Sequence, residues 1–242
     1  MKITRIIPMI VAVALLGSCK KGGLFCHKEK GEIVTESRLV ENFDEVALAT
    51  QGNVYVTEGN TFSVQIESSQ NLIDIIKTDV KGNTLVIDTK KGKCISGNPT
   101  LNFYITAPNI SALDVSGSGN VYAANLIESS NMDLRISGSG RIEMDSLLCD
   151  NVEMDISGSG NIEIAGVGTM QHQDVHISGS GNIDAYNAPV NNSDISISGS
   201  GSAHVHVLNQ LNAHISGSGS VIYMGNPLVS TDISGSGNVR PY

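Results

Sequence analysis

The chain of 242 residues contains no tryptophan, and its aromatic residues together make up only 4%. So little aromatic volume argues against a thick globular core, while 26 glycines point to a thin, repetitive one. Cationic groups are equally scarce in the C-terminal part, where no lysine follows Lys93 and only Arg135, Arg141 and Arg240 carry positive charge. The formal charge is -9, and it becomes -11 without Lys2 and Arg5. An acidic chain repels phosphate backbones and anionic headgroups, so nucleic acid is not an expected partner. The four cysteines, Cys19, Cys26, Cys94 and Cys149, show no C-x-x-C spacing, so no zinc site and no cofactor are expected. In an exported chain a Cys26–Cys94 disulfide is open, but spacing alone does not decide it.

Lys2 and Arg5 precede an apolar run from Ile6 to Leu16 that is too short to span a bilayer. It ends at Leu16-Gly17-Ser18-Cys19, which resembles the bacterial lipobox, so Cys19 is the expected lipidation site. Residues 1–18 then read as a lipoprotein signal peptide and 19–40 as a lipidated linker. Lys20 and Lys21 follow the anchor where an acidic run would favour surface export. Attachment to the outer membrane is therefore expected, with periplasmic or surface face left open.

The tetrapeptide S-G-S-G begins at Ser116, Ser137, Ser157, Ser178, Ser198, Ser216 and Ser234. A period of 18 to 21 residues marks stacked structural units. Each copy follows an apolar β-branched residue: Val115, Ile136, Ile156, Ile177, Ile197, Ile215 or Ile233. Apolar and polar residues alternate on both sides of it, the pattern of strands with one buried face. Glycine pairs in mid-segment would cost a helix roughly 1 kcal/mol per glycine, so strands bent at glycine are expected. The corner glycines are Gly117 and Gly119, Gly138 and Gly140, Gly158 and Gly160, Gly179 and Gly181, Gly199 and Gly201, Gly217 and Gly219, and Gly235 and Gly237. Without a Cβ, such corners can stack at about 4.8 Å. The serines, with Asn120, Asn161, Asn182 and Asn238 after the corner, could form hydrogen-bonded ladders between coils.

Residues 41–110 read as the same plan made irregular, ahead of the regular repeat in 111–242. Gly52 and Asn53 stand where Gly119 and Asn120 stand later, and strands are expected over 62–66, 84–88 and 101–106. Ser68 and Ser69 ahead of Leu72, Ile73, Ile75 and Ile76 suggest a short helix over 71–80 that would cap an open end of the stack.

Phe43-Asp44-Glu45-Val46, Gly52-Asn53-Val54, Asn71-Leu72-Ile73, Leu85-Val86-Ile87, Pro108-Asn109-Ile110 and Asp114-Val115-Ser116-Gly117-Ser118-Gly119 occur in that order. In this the chain resembles the family named "putative auto-transporter adhesin, head GIN domain", from about residue 40 onward. The resemblance implies a parallel β-helix exported by Bacteroidetes-type bacteria, and little chemistry. The chain lacks a C-terminal run of amphipathic strands able to form a membrane barrel, so it is not expected to transport itself. The fold class expected is all-β: a single-stranded parallel β-helix, or solenoid, of about 18–21 residues per coil with an irregular N-terminal capping section.

Outward positions after the corner include Glu143, Glu163 and Asp184 on successive coils. They read as a solvated acidic stripe, with weak calcium binding as the alternative. His172, His176, His204, His206 and His214 read as scattered surface histidines without an orienting partner. Parallel β-helices also serve as polysaccharide lyases and hydrolases. A lyase would need basic residues that are missing here, and a hydrolase would need two opposed carboxylates in a cleft. Asp155 with Asp174, or Glu143 with Glu163, could be paired, but nothing singles them out. A noncatalytic envelope protein is therefore expected, adhering to or scaffolding a glycan, an envelope protein or another copy of itself. The short tail from Asn238 to Tyr242 gives the last coil little cover, which keeps self-association open.

Overall fold

A computed structural model describes residues 26–242; the expected signal peptide and the expected lipidation site Cys19 lie outside the described residues. The elements in chain order are β1 (Ile33–Arg38), β2 (Glu45–Leu48), β3 (Asn53–Glu58), β4 (Ser63–Ser69), α1 (Gln70–Ile73), β5 (Ile76–Lys81), β6 (Thr84–Thr89) and β7 (Asn102–Ala107). They continue as β8 (Ala112–Val115), β9 (Asn120–Ala123), β10 (Ile127–Gly138), β11 (Arg141–Gly158), β12 (Asn161–Gly166) and β13 (Met170–Gly179). The last are β14 (Asn182–Gly199), β15 (Ser202–Gly217), β16 (Ser220–Met224), β17 (Leu228–Gly235) and β18 (Asn238–Pro241). Parallel pairing of stacked coils makes this a β-solenoid, the architecture that the repeat predicts.

Two faces meet at the S-G-S-G corner. The first, leading into the corner, stacks β6, β2, β8, β10, β11, β13, β14, β15 and β17 in parallel. The second, leaving it, stacks β7, β3, β9, β11, β12, β14, β15, β16 and β18. Equivalent side chains lie directly over one another. Ile87, Leu48, Val115, Ile136, Ile156, Ile177, Ile197 and Ile215 form one continuous buried column, and Ile233 extends it into a coil where it is 40% exposed. Burying an isoleucine fully contributes roughly 1.5–3 kcal/mol, so repeating the rung is what holds so thin a core together.

Backbone hydrogen bonds run between corners, from Ser159 N–H to the Gly138 carbonyl at 2.9 Å and from Ser180 N–H to that of Gly158 at 2.9 Å. The corner serine side chains Ser137, Ser139, Ser157 and Ser159 point to solvent, so the expected serine ladder does not form there. The asparagine position does form one, with Asn182 Nδ2 donating to Asn161 Oδ1 at 3.0 Å. Between the regular coils the interior also takes Gln173 and Ser193: buried Ser193 donates to Gln173 Oε1 at 3.0 Å on the neighbouring coil.

The N-terminal section departs from simple winding. Coil β2–β3 lies between β6–β7 on one side and β8–β9 on the other, so stacking order is not chain order. Gly52 and Asn53 do occupy the corner register, for Asn53 pairs with Asn120. The helix expected over 71–80 is reduced to α1, a single turn, because residues 76–81 form β5 and pair antiparallel with β6 around Gly82 and Asn83. Ser68 and Ser69 are buried and bond the Thr100 carbonyl and Asn71, not a helix N-terminus. The capping role falls to antiparallel strands instead: β5 against β6, and β4 then β1 against β7. Edge strand β5 carries the Lys77–Asp79 ion pair at 3.0 Å, charge that discourages further strand addition. Part of the segment read as a linker is thus built into the cap, and Cys26 is joined to Cys94 by a disulfide.

Candidate binding faces

The outer surface of the first face follows from alternation: every residue between two buried rungs points outward, and the register aligns it with its counterparts. One outward column reads Asp114, Arg135, Asp155, His176, Ser196, His214, Asp232. Beside it run Ala112, Asp133, Glu153, Asp174, Asp194, Asn212 and Ser230. Two shallow depressions sit on this surface and share Asp174. Arg135 reaches Asp133, Glu153 at 4.0 Å and Asp155 at 3.6 Å. Burial holds the carboxyls of Asp114 and Asp133 above the usual range, opposed by the Arg135 charge. Glu153 is raised by burial and then by the neighbouring Asp133 and Asp155 charges.

Of His172, His176, His204, His206 and His214, four have acidic partners, and His206 has none among the described residues. His172 lies 3.4 Å from Asp194, His176 3.3 Å from Asp174, His204 3.9 Å from Asp184, and His214 3.1 Å from Asp232. Each pair shares one flat surface, so the arrangement resembles a checkerboard more than a catalytic cluster. Sequence spacing hides this because Asp194 and Asp232 lie one coil away from their histidines.

On the second face the expected acidic column is present, with Glu143, Glu163 and Asp184 in successive register. Arg141 lies 3.8 Å from Glu143 and 3.6 Å from Glu163, which already relieves their repulsion. Among the described residues no three His, Cys, Asp or Glu side chains converge to hold a metal ion. Neither Glu143 with Glu163 nor Asp155 with Asp174 faces across a cleft, because all four project from flat sheet surfaces. Cys149 is buried against Met170, and burial pushes its thiol up to about 12, so it is no nucleophile at neutral pH.

The family model for "putative auto-transporter adhesin, head GIN domain" matches residues 42–227. This chain belongs to that head GIN domain family. Among solved structures, a putative adhesin from Bacteroides fragilis is 26% identical with a TM-score of 0.83, over 89% of this chain and 100% of that one. A putative lipid binding protein from Parabacteroides distasonis is 23% identical with a TM-score of 0.71, over 89% of this chain and 99% of that one. A putative adhesin from the same organism is 24% identical with a TM-score of 0.68, over 89% and 99%. The latter two likenesses establish the fold alone. No curated protein matches the sequence.

The head GIN domain also carries a surface that the sequence reading missed. Toward the N-terminal end of the second face, Tyr104, Tyr55 and Tyr122 are stacked, with ring centroids 5.3 and 5.5 Å apart. Asn102, Asn53 and Asn120 form the adjacent outward column. Asn120 Nδ2 donates to Asn53 Oδ1 at 3.0 Å, Asn53 Nδ2 to Asn102 Oδ1 at 3.3 Å, and Asn102 Nδ2 to Glu67 Oε2 at 2.8 Å. Tyr104 also donates to that Glu67 oxygen, at 3.0 Å. These bonds, Asn102 first, hold the Glu67 carboxyl below its usual range, while the bond to Glu67 raises Tyr104. The signal was an Asn-x-Tyr triplet repeated at Asn53, Asn102 and Asn120. Its regularity is obscured because these three coils stack out of chain order.

Proposed function

We propose that the protein is a noncatalytic adhesion module of the cell envelope, carried on a lipid at Cys19 and presenting its solenoid faces to a glycan or protein partner. The observation that carries this reading is the repetition of outward side chains at one-coil spacing across two flat, open faces. Such a surface offers many equivalent weak contacts to an extended ligand, and their summed effect gives avidity without a closed pocket. It is poorly suited to catalysis, which needs groups converging on one reacting atom with water excluded. Membership of an adhesin-named family agrees with it.

The deciding experiment is a screen of glycans and envelope proteins with product analysis. Retention of a partner without chemical change is expected. New reducing ends or unsaturated sugars would instead identify an enzyme, and retention of nothing would favour a structural scaffold. For the anchor, Cys19→Ala is expected to move the protein from the membrane fraction to the soluble fraction. Unchanged membrane attachment would exclude lipidation at that residue.

A further inference from the structure

A polar recess of about 280 Å³ opens beside the amide ladder, lined by Gln51, Gly52, Asn53, Gly97, Asn98, Pro99, Ser118 and Asn120. That volume lies near the lower bound of roughly 300 Å³ for small-ligand sites, room for one sugar-sized ring. No charged side chain lines it, unlike the depressions of the first face. The Gln51 side-chain nitrogen is buried without a hydrogen-bond partner. A buried donor left in that state costs about 1–3 kcal/mol, which a ligand oxygen would recover if the Gln51 amide turned into the recess.

From this recess the surface continues without a break. Asn53 and Asn120 line it, and two residues further along the same outward faces stand Tyr55 and Tyr122. Within the ladder each asparagine amide uses one N–H, and Asn53 and Asn102 also use one oxygen lone pair, which leaves every amide a further donor and a further acceptor. Tyr55 and Tyr104 are 38% and 41% exposed, and because their rings stack on one another they present edges and hydroxyls, not open faces. The whole patch therefore offers paired donors and acceptors at a repeat of about 4.8 Å, with little net charge. Ligands rich in hydroxyls, each both donor and acceptor, match this best, and neutral polyhydroxylated chains are the class that carries them.

We propose that the recess at Gln51, with the Asn102–Asn53–Asn120 and Tyr104–Tyr55–Tyr122 ladders, binds a neutral glycan, one ring entering the recess and the chain lying along the ladders. This rests on the adhesion reading and gives it a site and a ligand class. The anchoring contacts are the Gln51 amide and the outward amide edges of Asn53 and Asn120. Glu67 polarises the ladder from its far end, since all three asparagines donate in its direction.

The test is calorimetric titration of the folded mature protein with neutral oligosaccharides of mannose, glucose, galactose and xylose. One of these series is expected to bind. Gln51→Ala should weaken that binding by about tenfold, the loss of one buried hydrogen bond. Asn98→Trp, at an exposed loop position, should block the recess and abolish it, while thermal melting stays as in the parent. Asp150→Asn, exposed and remote from the recess, should leave it unchanged. Binding that persists through both Gln51→Ala and Asn98→Trp would overturn the site, as would no binding to any neutral series. In either case the adhesion reading stands or falls separately, on whether charged glycans or envelope proteins are retained in the screen.

Discussion

Gly179 has φ +134°, and a Cβ placed on it would lie 2.3 Å from the carbonyl oxygen of Gly158 on the coil beneath. A Cβ on Gly181 would meet Ile156 Cγ2 at 2.4 Å and the Gly160 carbonyl oxygen at 2.7 Å. Both obstacles belong to the neighbouring coil, so the corner glycines set the spacing between coils as much as the bend within one. Gly168, at φ +89°, would meet only Leu148 Cδ1 at 3.7 Å and so feels backbone strain without crowding. Gly179→Ala is expected to destabilise the protein by more than about 3 kcal/mol, and Gly168→Ala by about 1 kcal/mol. Equal losses in denaturant titrations of the two variants would show that coil spacing does not depend on the corner.

Arg135 is the only cation among the described outward carboxylates at its end of the first face, and its effect depends on pH. Asp114, Asp133 and Glu153 have folded pKa values raised chiefly by burial. A carboxyl raised on folding favours the folded state below its unfolded value, and that contribution is lost as pH rises through the folded value. Near pH 7 all three are therefore a burden that Arg135 offsets. Arg135→Gln is expected to lower stability there by about 0.5–1 kcal/mol, a modest figure because the guanidinium is partly exposed and screened. The loss should shrink as pH falls toward the ordinary carboxyl values of 3.8 and 4.5. Thermal melts showing the same loss at both ends of that range would contradict the assignment.

At the scale of elements, the N-terminal cap is the part least like its sequence reading. Chain length and apolar spacing around Leu72 to Ile76 suit a helix, but Val80 and Ile76 find antiparallel partners in Leu85 and Thr89, and the strand wins. Tertiary pairing of this kind is invisible to local propensity. By contrast, the rungs from Val115 to Ile233 were legible to the residue, because a repeat displays its own register seven times over. The acidic column on Glu143, Glu163 and Asp184 was legible for the same reason, while Arg141 between two of them was not, since its reach crosses coils. Gln173 and Ser193 were misleading in the other direction: polar in sequence, they are inward, where Ser193 donates to the Gln173 side-chain oxygen while the Gln173 nitrogen stays unpartnered. The cap is also tied by Cys26–Cys94, which closes a sequence separation of 68 residues. Cys94→Ser is expected to cost about 2–4 kcal/mol. Hydrogen exchange should quicken in β1 and β4 and remain as before in β13 and β14; uniform quickening would mean that the cap and the coils unfold as one unit.

Across the whole molecule each coil touches only its neighbours, so stability is a sum of nearest-neighbour terms and the cost of a defect depends on where it falls. Ile177 is buried between Ile156 and Ile197, with a coil on either side. Ile233 continues the same column but has a neighbouring coil only at Ile215 among the described residues, and all of β17 is exposed. The two side chains are chemically identical and differ only in how many sides are covered. Ile177→Ala is expected to cost about 3 kcal/mol, from lost burial and the cavity left in a column that cannot collapse without moving two corners. Ile233→Ala should cost less than about 1 kcal/mol, since much of its surface is already in water. Denaturant unfolding measures both. A large loss at Ile233 would mean that this end of the stack is covered in solution, by further chain, by a second copy or by a ligand, and the same titration repeated over a range of protein concentrations would separate the second copy from the rest, because only association makes the midpoint depend on concentration.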